Sequence, residues 1–193
     1  GHDNPEFDYH NSRVMLRKTD GIYFADPSGK IVLGPYRQST HFASGMASVI
    51  DIEGNTKFIN VNGVALAQMK LSKNVSINGV FSDGLIRASV FYESERKTYY
   101  GFMNAKGDWA INPQFFNAKD FSDGLAAASI LVPNENPEEQ PIEIWGFIDK
   151  SGKFAIKPQY HWAYSFSQGL ARVNTMTGSI YINKLGQQIA SGL

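Results

Sequence analysis

The sequence predicts an all-β fold: a tandem array of five three-stranded antiparallel β-meander repeats. Three observations support this prediction. The turn signature Asp/Asn-x-x-Gly recurs five times, with an aromatic residue two positions ahead of each copy. A second signature, Phe-x-x-Gly, alternates with the first, and short apolar runs typical of β-strands flank both. The turn signatures begin at Asp26, Asn60, Asn104, Asp149 and Asn183.

Each turn signature joins two strands of a hairpin. Asp or Asn in the first position accepts backbone hydrogen bonds, and glycine in the fourth tolerates a left-handed backbone, as in a type I turn with a glycine bulge. The aromatic column is followed in every copy by a second apolar residue, so we expect this strand to be covered on both faces. The aromatic column consists of Phe24, Phe58, Phe102, Phe147 and Tyr181.

The second signature precedes the first strand of a unit. It begins at Phe42, Phe81, Phe121 and Phe166, and an apolar run follows each copy. The run at 14–16 takes the same role in the first unit, although no glycine signature precedes it. The sequence therefore divides a single domain, residues 1–193, into approximate repeats at 13–35, 44–70, 84–114, 124–159 and 169–191.

Five meanders can form an open twisted array or close into a small propeller-like ring. Propeller blades usually have four strands, whereas these units supply three. The chain also lacks the split first and last unit that fastens many rings. We therefore favour the open, solenoid-like array and keep the ring as the alternative.

Composition excludes several classes of partner. The chain has 18 basic and 18 acidic residues, which argues against nucleic acid or an anionic membrane surface as the main partner. The longest mainly apolar stretch, 125–132, is far shorter than the roughly 20 residues of a membrane span. The opening Gly1-His2 favours a trimmed start, and with it an extracytoplasmic location over a cytoplasmic one.

The sequence contains no catalytic, cofactor or metal signature. It has no cysteine, and His10, His41 and His161 share no repeat column. One Asp or Asn oxygen per turn is too few for calcium, which takes six to eight oxygen ligands. The repeated Asp and Asn residues are therefore interpreted as turn formers, and we predict neither an enzyme nor a cofactor.

Two stretches resemble a known family. The first is Trp145-Gly146-Phe147-Ile148-Asp149-Lys150-Ser151-Gly152, and the second is Tyr100-Gly101-Phe102-Met103-Asn104. With the Pro-Gln-aromatic and Phe-Ser-x-Gly-Leu segments that follow, they resemble the bacterial WG repeat, also called the KWG repeat. The resemblance extends more weakly over almost the whole chain. It implies a β-rich bacterial protein that mediates binding, and it implies no reaction and no catalytic residues.

The repeats differ most in two insertions. Extra residues lie at about 92–98 and 133–143, between the first and second strands of the third and fourth repeats, with a smaller excess at 70–79. If the repeats stack in register, the two larger insertions project from one edge and form a shared rim. Glu95, Arg96, Glu138 and Glu139 are the candidate contacts on this rim. The alternative is that both are solvated hairpin tips.

Two hypotheses about function follow. The first is a protein-binding or scaffold module that uses the rim. The second is a cell-envelope carbohydrate-binding module that uses Trp162 and Tyr164, because aromatic rings with a polar edge suit both sugar stacking and protein contact. Packing between repeats is the alternative role for these two residues. A protein partner is the leading expectation, a glycan is the second, and the oligomeric state is not predicted.

Overall fold

A computed structural model describes residues 13–189 of the chain. Within this range there are nineteen β-strands and no helix, and the strands form five antiparallel sheets that follow one another along the chain. None of these sheets closes into a barrel. The predicted all-β array of five repeats is therefore confirmed. Residues 190 and 191 of the predicted fifth repeat lie outside the described range.

The strands have the following bounds. The first sheet contains β1 (Val14–Lys18), β2 (Gly21–Ala25) and β3 (Ile31–Tyr36). The second contains β4 (Gln38–Ser39), β5 (Met46–Ile50), β6 (Thr56–Asn60) and β7 (Ala65–Met69). The third contains β8 (Val75–Ile77), β9 (Leu85–Tyr92), β10 (Lys97–Asn104) and β11 (Trp109–Phe115). The fourth contains β12 (Asn117–Ala118), β13 (Ala126–Val132), β14 (Ile142–Ile148) and β15 (Phe154–Tyr160). The fifth contains β16 (Trp162–Ala163), β17 (Leu170–Thr175), β18 (Gly178–Asn183) and β19 (Gln188–Ile189).

Four sheets contain a short strand that the sequence did not predict. Every sheet has the predicted three-stranded meander, and the second to fifth sheets add one strand of two or three residues at the start, namely β4, β8, β12 and β16. Three of these begin two residues after the last strand of the sheet before, as Asn117 follows Phe115. A strand this short carries no readable alternation of apolar and polar residues, so periodicity gives no signal for it.

The five turn signatures fold as predicted. In the first, the Asp26 backbone carbonyl accepts the Gly29 N–H at 2.9 Å, and its side-chain Oδ1 accepts the Ser28 N–H at 2.9 Å. The same pattern occurs at Asn60, Asn104, Asp149 and Asn183. The five turn glycines have φ between 76° and 85°, a left-handed conformation that strains any residue with a Cβ. The repeated Asp and Asn side chains are therefore turn formers.

Pairs of phenylalanines join consecutive repeats. In the first four repeats, the aromatic residue ahead of the turn contacts the phenylalanine of the next Phe-x-x-Gly signature, with the rings edge to face. The ring centroids are 4.8 Å apart for Phe24 and Phe42, 4.9 Å for Phe58 and Phe81, 4.8 Å for Phe102 and Phe121, and 4.7 Å for Phe147 and Phe166. All eight rings are at most 2% exposed. Both sequence signatures therefore contribute aromatic side chains to the same contacts between consecutive repeats.

The fifth repeat departs from the pattern. Tyr181, its aromatic column residue, is 55% exposed, so the prediction of a strand covered on both faces is wrong there. Leu170 is 40% exposed, whereas its counterparts Leu85 and Leu125 are 9% exposed. The difference arises because no described sheet follows the fifth and packs on that face.

Polar contacts also link neighbouring repeats. The Gly124 N–H donates to Asp83 Oδ2 at 2.7 Å, and the Gly169 N–H donates to Asp123 Oδ2 at 2.8 Å. Each acceptor is the residue before the glycine of one Phe-x-x-Gly signature, and each donor is the glycine of the next signature. A hydrogen bond therefore links consecutive signatures. Gln168 occupies the same position in the fifth repeat. The junctions are thus fixed by one aromatic pair and, in the third to fifth repeats, by hydrogen bonds between side chains and backbone.

Candidate binding site

The insertion of the third repeat forms the β9–β10 hairpin. Glu95 lies at its tip and accepts a hydrogen bond from the Tyr99 hydroxyl at 3.0 Å. This contact raises the pKa of the Tyr99 hydroxyl, because the carboxylate favours the protonated phenol. Arg96 has a left-handed backbone, with φ of 52°, and its side chain is exposed. The tip is closed by its own hydrogen bonds.

The insertion of the fourth repeat connects β13 to β14. The Glu139 carboxylate accepts hydrogen bonds from the side-chain amides of Asn134 at 3.1 Å and Asn136 at 3.2 Å. Glu138 is exposed. Both insertions lie at equivalent hairpins of adjacent sheets, but within residues 13–189 no hydrogen bond or ion pair joins one to the other. A shared rim that uses Glu95, Arg96, Glu138 and Glu139 stays a prediction.

Trp162 and Tyr164 lie together, around a lysine of the preceding sheet. The Lys119 ammonium nitrogen is 4.5 Å from the ring centroid of Trp162, 4.9 Å from that of Tyr164 and 5.9 Å from that of Trp145. Trp162 packs against the buried Trp145 ring with centroids 4.8 Å apart, and its centroid is 6.4 Å from that of Tyr164. These distances are within the range of cation–π attraction.

A second cation completes this group. The Arg172 guanidinium carbon is 4.0 Å from the Tyr164 ring centroid, and the Arg172 side chain is exposed. We call Lys119, Trp145, Trp162, Tyr164 and Arg172 the cation–aromatic cluster. In the described part of the chain, neither Lys119 nor Arg172 has a carboxylate partner. The cluster is a local excess of positive charge on a chain whose net charge is zero.

The fold places these residues together by repetition. The Lys119 N–H donates to the Ala127 carbonyl at 2.9 Å, and the Tyr164 N–H donates to the Arg172 carbonyl at 3.0 Å. Lys119 and Tyr164 therefore occupy the same position in consecutive sheets, just after the short strands β12 and β16. Because the sheets are neighbours, residues at this position meet across the junction.

At the next junction towards the N-terminus, between the third and fourth sheets, the positive charge is neutralised by a carboxylate. Arg87, which matches Arg172 in the repeat, forms an ion pair with Asp120, with Nε 3.1 Å from Oδ1. Arg87 also donates to the Ala118 carbonyl at 2.7 Å, and its guanidinium carbon is 5.8 Å from the Tyr100 ring centroid. The carboxylate that Lys119 and Arg172 lack is therefore present here.

Burial affects the chemistry of the cluster. Loss of water around Lys119 lowers the pKa of its ammonium group, and the positive charge of Arg87 lowers it further. Trp145 is 1% exposed, and its indole N–H has no acceptor among the described residues.

The sequence pointed to Trp162 and Tyr164 but missed Lys119, Trp145 and Arg172. Trp145 was read as the name-giving residue of the repeat, and the two cations belong to neither signature. One signal was available, since Lys119 matches Tyr164 and Arg172 matches Arg87 when the repeats are aligned on Phe-x-x-Gly. Within residues 13–189, no group of three acidic, histidine or cysteine residues has the arrangement of a metal site.

Comparison with known proteins gives the class of the chain. Residues 100–130 and 145–175 match the family described as WG containing repeat. The resemblance inferred from the sequence is thereby confirmed over these two segments. Together with the all-β repeat fold, this indicates a repeat-based binding or scaffold module.

No curated protein matches the chain. Among solved structures, the chain is similar to BamB from Moraxella catarrhalis, with 10% sequence identity and a TM-score of 0.44. The alignment covers 93% of this chain and 57% of that one. No helix among the described residues is long and apolar enough to cross a bilayer.

Proposed function

We propose that this chain is a non-enzymatic binding module, and that a protein partner docks an acidic segment on the cation–aromatic cluster. One observation carries the proposal. Lys119 and Arg172 lie against aromatic rings without a carboxylate partner in the described residues. Protein interfaces are enriched in tryptophan, tyrosine and arginine, and these residues contribute most of the binding energy when they are desolvated.

The electrostatics favour an acidic partner. Lys119 is partly buried, and this loss of solvation lowers the pKa of its ammonium group. A partner carboxylate restores a favourable interaction with that charge at a site already partly desolvated. Balanced net charge elsewhere confines this attraction to the cluster, so a short acidic segment suits it better than a polyanion.

The alternative of sugar stacking on Trp162 and Tyr164 has less support. Trp162 has Lys119 and Trp145 as neighbours, and Tyr164 has Lys119 and Arg172. A sugar ring would compete with these neighbours for the ring surfaces. The cations themselves suit a charged protein segment, which is the reason we favour the protein partner at this site.

Capture from a lysate of the native organism tests the proposal. We expect the Lys119→Gln, Arg172→Gln double variant to lose proteins that the wild-type chain retains, because it removes both unpaired cations. The matched control is Lys106→Gln, Lys150→Gln, which removes the same charge from exposed turn residues. Quantitative mass spectrometry of the retained proteins measures the difference. Equal retention by the double variant and the wild-type chain would contradict the proposal.

A further inference from the structure

A groove separates the second and third sheets. It has a volume of about 450 Å³, within the range of pockets for small ligands. Hydroxyl side chains line it on both sides, from Ser39, Thr40, Ser48 and Thr56 of the second sheet and Ser72 and Ser76 of the third repeat. We call these six residues and the space between them the hydroxyl groove.

The groove continues past the end of the third sheet. A second cavity of about 460 Å³ shares Lys73 and Ser76 with the first and is lined by Phe91 and Tyr92. These two aromatic side chains are 41% and 38% exposed. Together the cavities form one path, polar in its first part and aromatic in its second.

Small residues at matched positions leave this junction open. Ser48 occupies the position of Arg87, and Thr40 occupies the position of Lys119, as their equivalent backbone hydrogen bonds show. At the following junctions the larger side chains reach the next sheet, where Arg87 pairs with Asp120 and Lys119 contacts Trp162. Ser48 and Thr40 are too short to do so, and the space that those side chains fill elsewhere stays empty.

Buried polar groups at the groove lack partners within the protein. Ser48 and Thr56 are each 5% exposed and line the groove, and neither hydroxyl forms a hydrogen bond with any residue that the structure describes. Both hydroxyl oxygens are open to the groove, so a ligand or solvent there can supply the missing hydrogen bonds. Ser48 and Thr56 therefore offer two free hydrogen-bonding groups to a ligand in the groove.

The lining determines the class of ligand. Each hydroxyl can both donate and accept, which matches a ligand whose own polar groups do both. Ile50, Val75 and Ile77 add apolar surface between the hydroxyls, and Phe91 and Tyr92 offer ring surfaces for stacking. Lys73 is balanced by Glu93 along the path, so the lining carries no net charge.

We propose that the hydroxyl groove binds a neutral saccharide, with its hydroxyl groups on Ser48 and Thr56 and a sugar ring against Phe91 or Tyr92. The site is separate from the cation–aromatic cluster and does not depend on the partner proposed there. It gives a role to the Ser48 and Thr56 hydroxyls, which form no hydrogen bond with any residue that the structure describes.

Saturation-transfer NMR and calorimetric titration of the full chain with maltose, cellobiose and N,N′-diacetylchitobiose test this proposal. We expect at least one disaccharide to bind the wild-type chain. Ser76→Trp should abolish binding, because Ser76 is exposed and lies where the two cavities meet. Ser165→Trp is the matched control, an exposed serine between β16 and β17, and it should bind like the wild-type chain.

A conservative variant keeps the test decisive if the tryptophan perturbs the fold. Ser48→Ala combined with Thr56→Val should weaken binding about tenfold through loss of two hydrogen bonds. The Lys119→Gln, Arg172→Gln variant should bind the sugar unchanged, which separates this site from the protein-binding one. Absence of binding by all three disaccharides, or unchanged binding by the Ser48, Thr56 double variant, would overturn the proposal.

Discussion

Replacing Phe147 by alanine is expected to lower the free energy of unfolding by about 3–5 kcal/mol. Phe147 is fully buried and meets Phe166 edge to face, with ring centroids 4.7 Å apart. Its loss leaves a cavity at the junction of the fourth and fifth repeats and removes an aromatic pair worth about 0.5–1.5 kcal/mol beyond burial. Urea denaturation followed by circular dichroism measures the change.

The chain offers a matched control for this substitution. Tyr181 has the same place in the fifth repeat but is 55% exposed, so Tyr181→Ala should change the free energy of unfolding by no more than about 0.5 kcal/mol. Similar costs at the two positions would contradict the assignment of the aromatic column to the junctions. They would also require that another sheet cover the fifth one.

The second large effect is expected at Gly146, the glycine that gives the repeat its name. A Cβ added there would lie 2.5 Å from the Ile156 carbonyl oxygen and 2.7 Å from the Pro158 nitrogen. These are backbone atoms of β15, where the register with β14 shifts, so they cannot move aside as a side chain can. We expect Gly146→Ala to lower the free energy of unfolding by about 3 kcal/mol, measured by the same denaturation.

Gly84 is the comparison for this experiment. Its φ is 85°, and nothing lies within 4 Å of an added Cβ, so Gly84→Ala incurs only the backbone strain, about 1–2 kcal/mol. A cost at Gly146 no larger than that at Gly84 would show that close approach of the strands does not explain this glycine. Gly101 has the same close contacts, with Ile111 and Pro113, so the reason applies to both strong repeats.

The repeat scaffold was predictable because its signals are local. The Asp or Asn of each turn bonds to backbone groups within four residues, so a short motif carries the whole interaction. The aromatic columns were visible because they recur at matched positions. The short strands β4, β8, β12 and β16 were not predictable, since two or three residues carry no periodic pattern.

The candidate sites were only partly predictable. Trp162 and Tyr164 were singled out by type, but their contact with Lys119 depends on how consecutive sheets pack, which no local motif encodes. The hydroxyl groove forms because Ser48 is small where Arg87 is large in the next repeat. A single small residue in one repeat is not a pattern that a sequence motif reveals. The exposure of Tyr181 was missed for a similar reason. Tyr181 fits the aromatic column of the turn signatures, but no following Phe-x-x-Gly phenylalanine packs against it among the described residues.

These cases have a common physical basis. The repeated residues form the junctions between sheets. The residues that differ between repeats determine the charge and shape of the surface at each junction. Arg87 with Asp120 closes one junction, Lys119 and Arg172 leave unpaired charge at the next, and Ser48 leaves a groove at a third. We therefore expect binding at the positions where matched residues change.

The most direct test of this account is calorimetric titration of the chain with a glutamate-rich peptide and with a lysine-rich peptide of equal length. We predict that only the acidic peptide binds, that added salt weakens binding, and that Lys119→Gln with Arg172→Gln weakens it at least about tenfold. Lys106→Gln with Lys150→Gln should leave the affinity within about twofold of the wild-type value. Equal binding of both peptides, or unchanged affinity in the Lys119, Arg172 double variant, would contradict the assignment of binding to the cation–aromatic cluster.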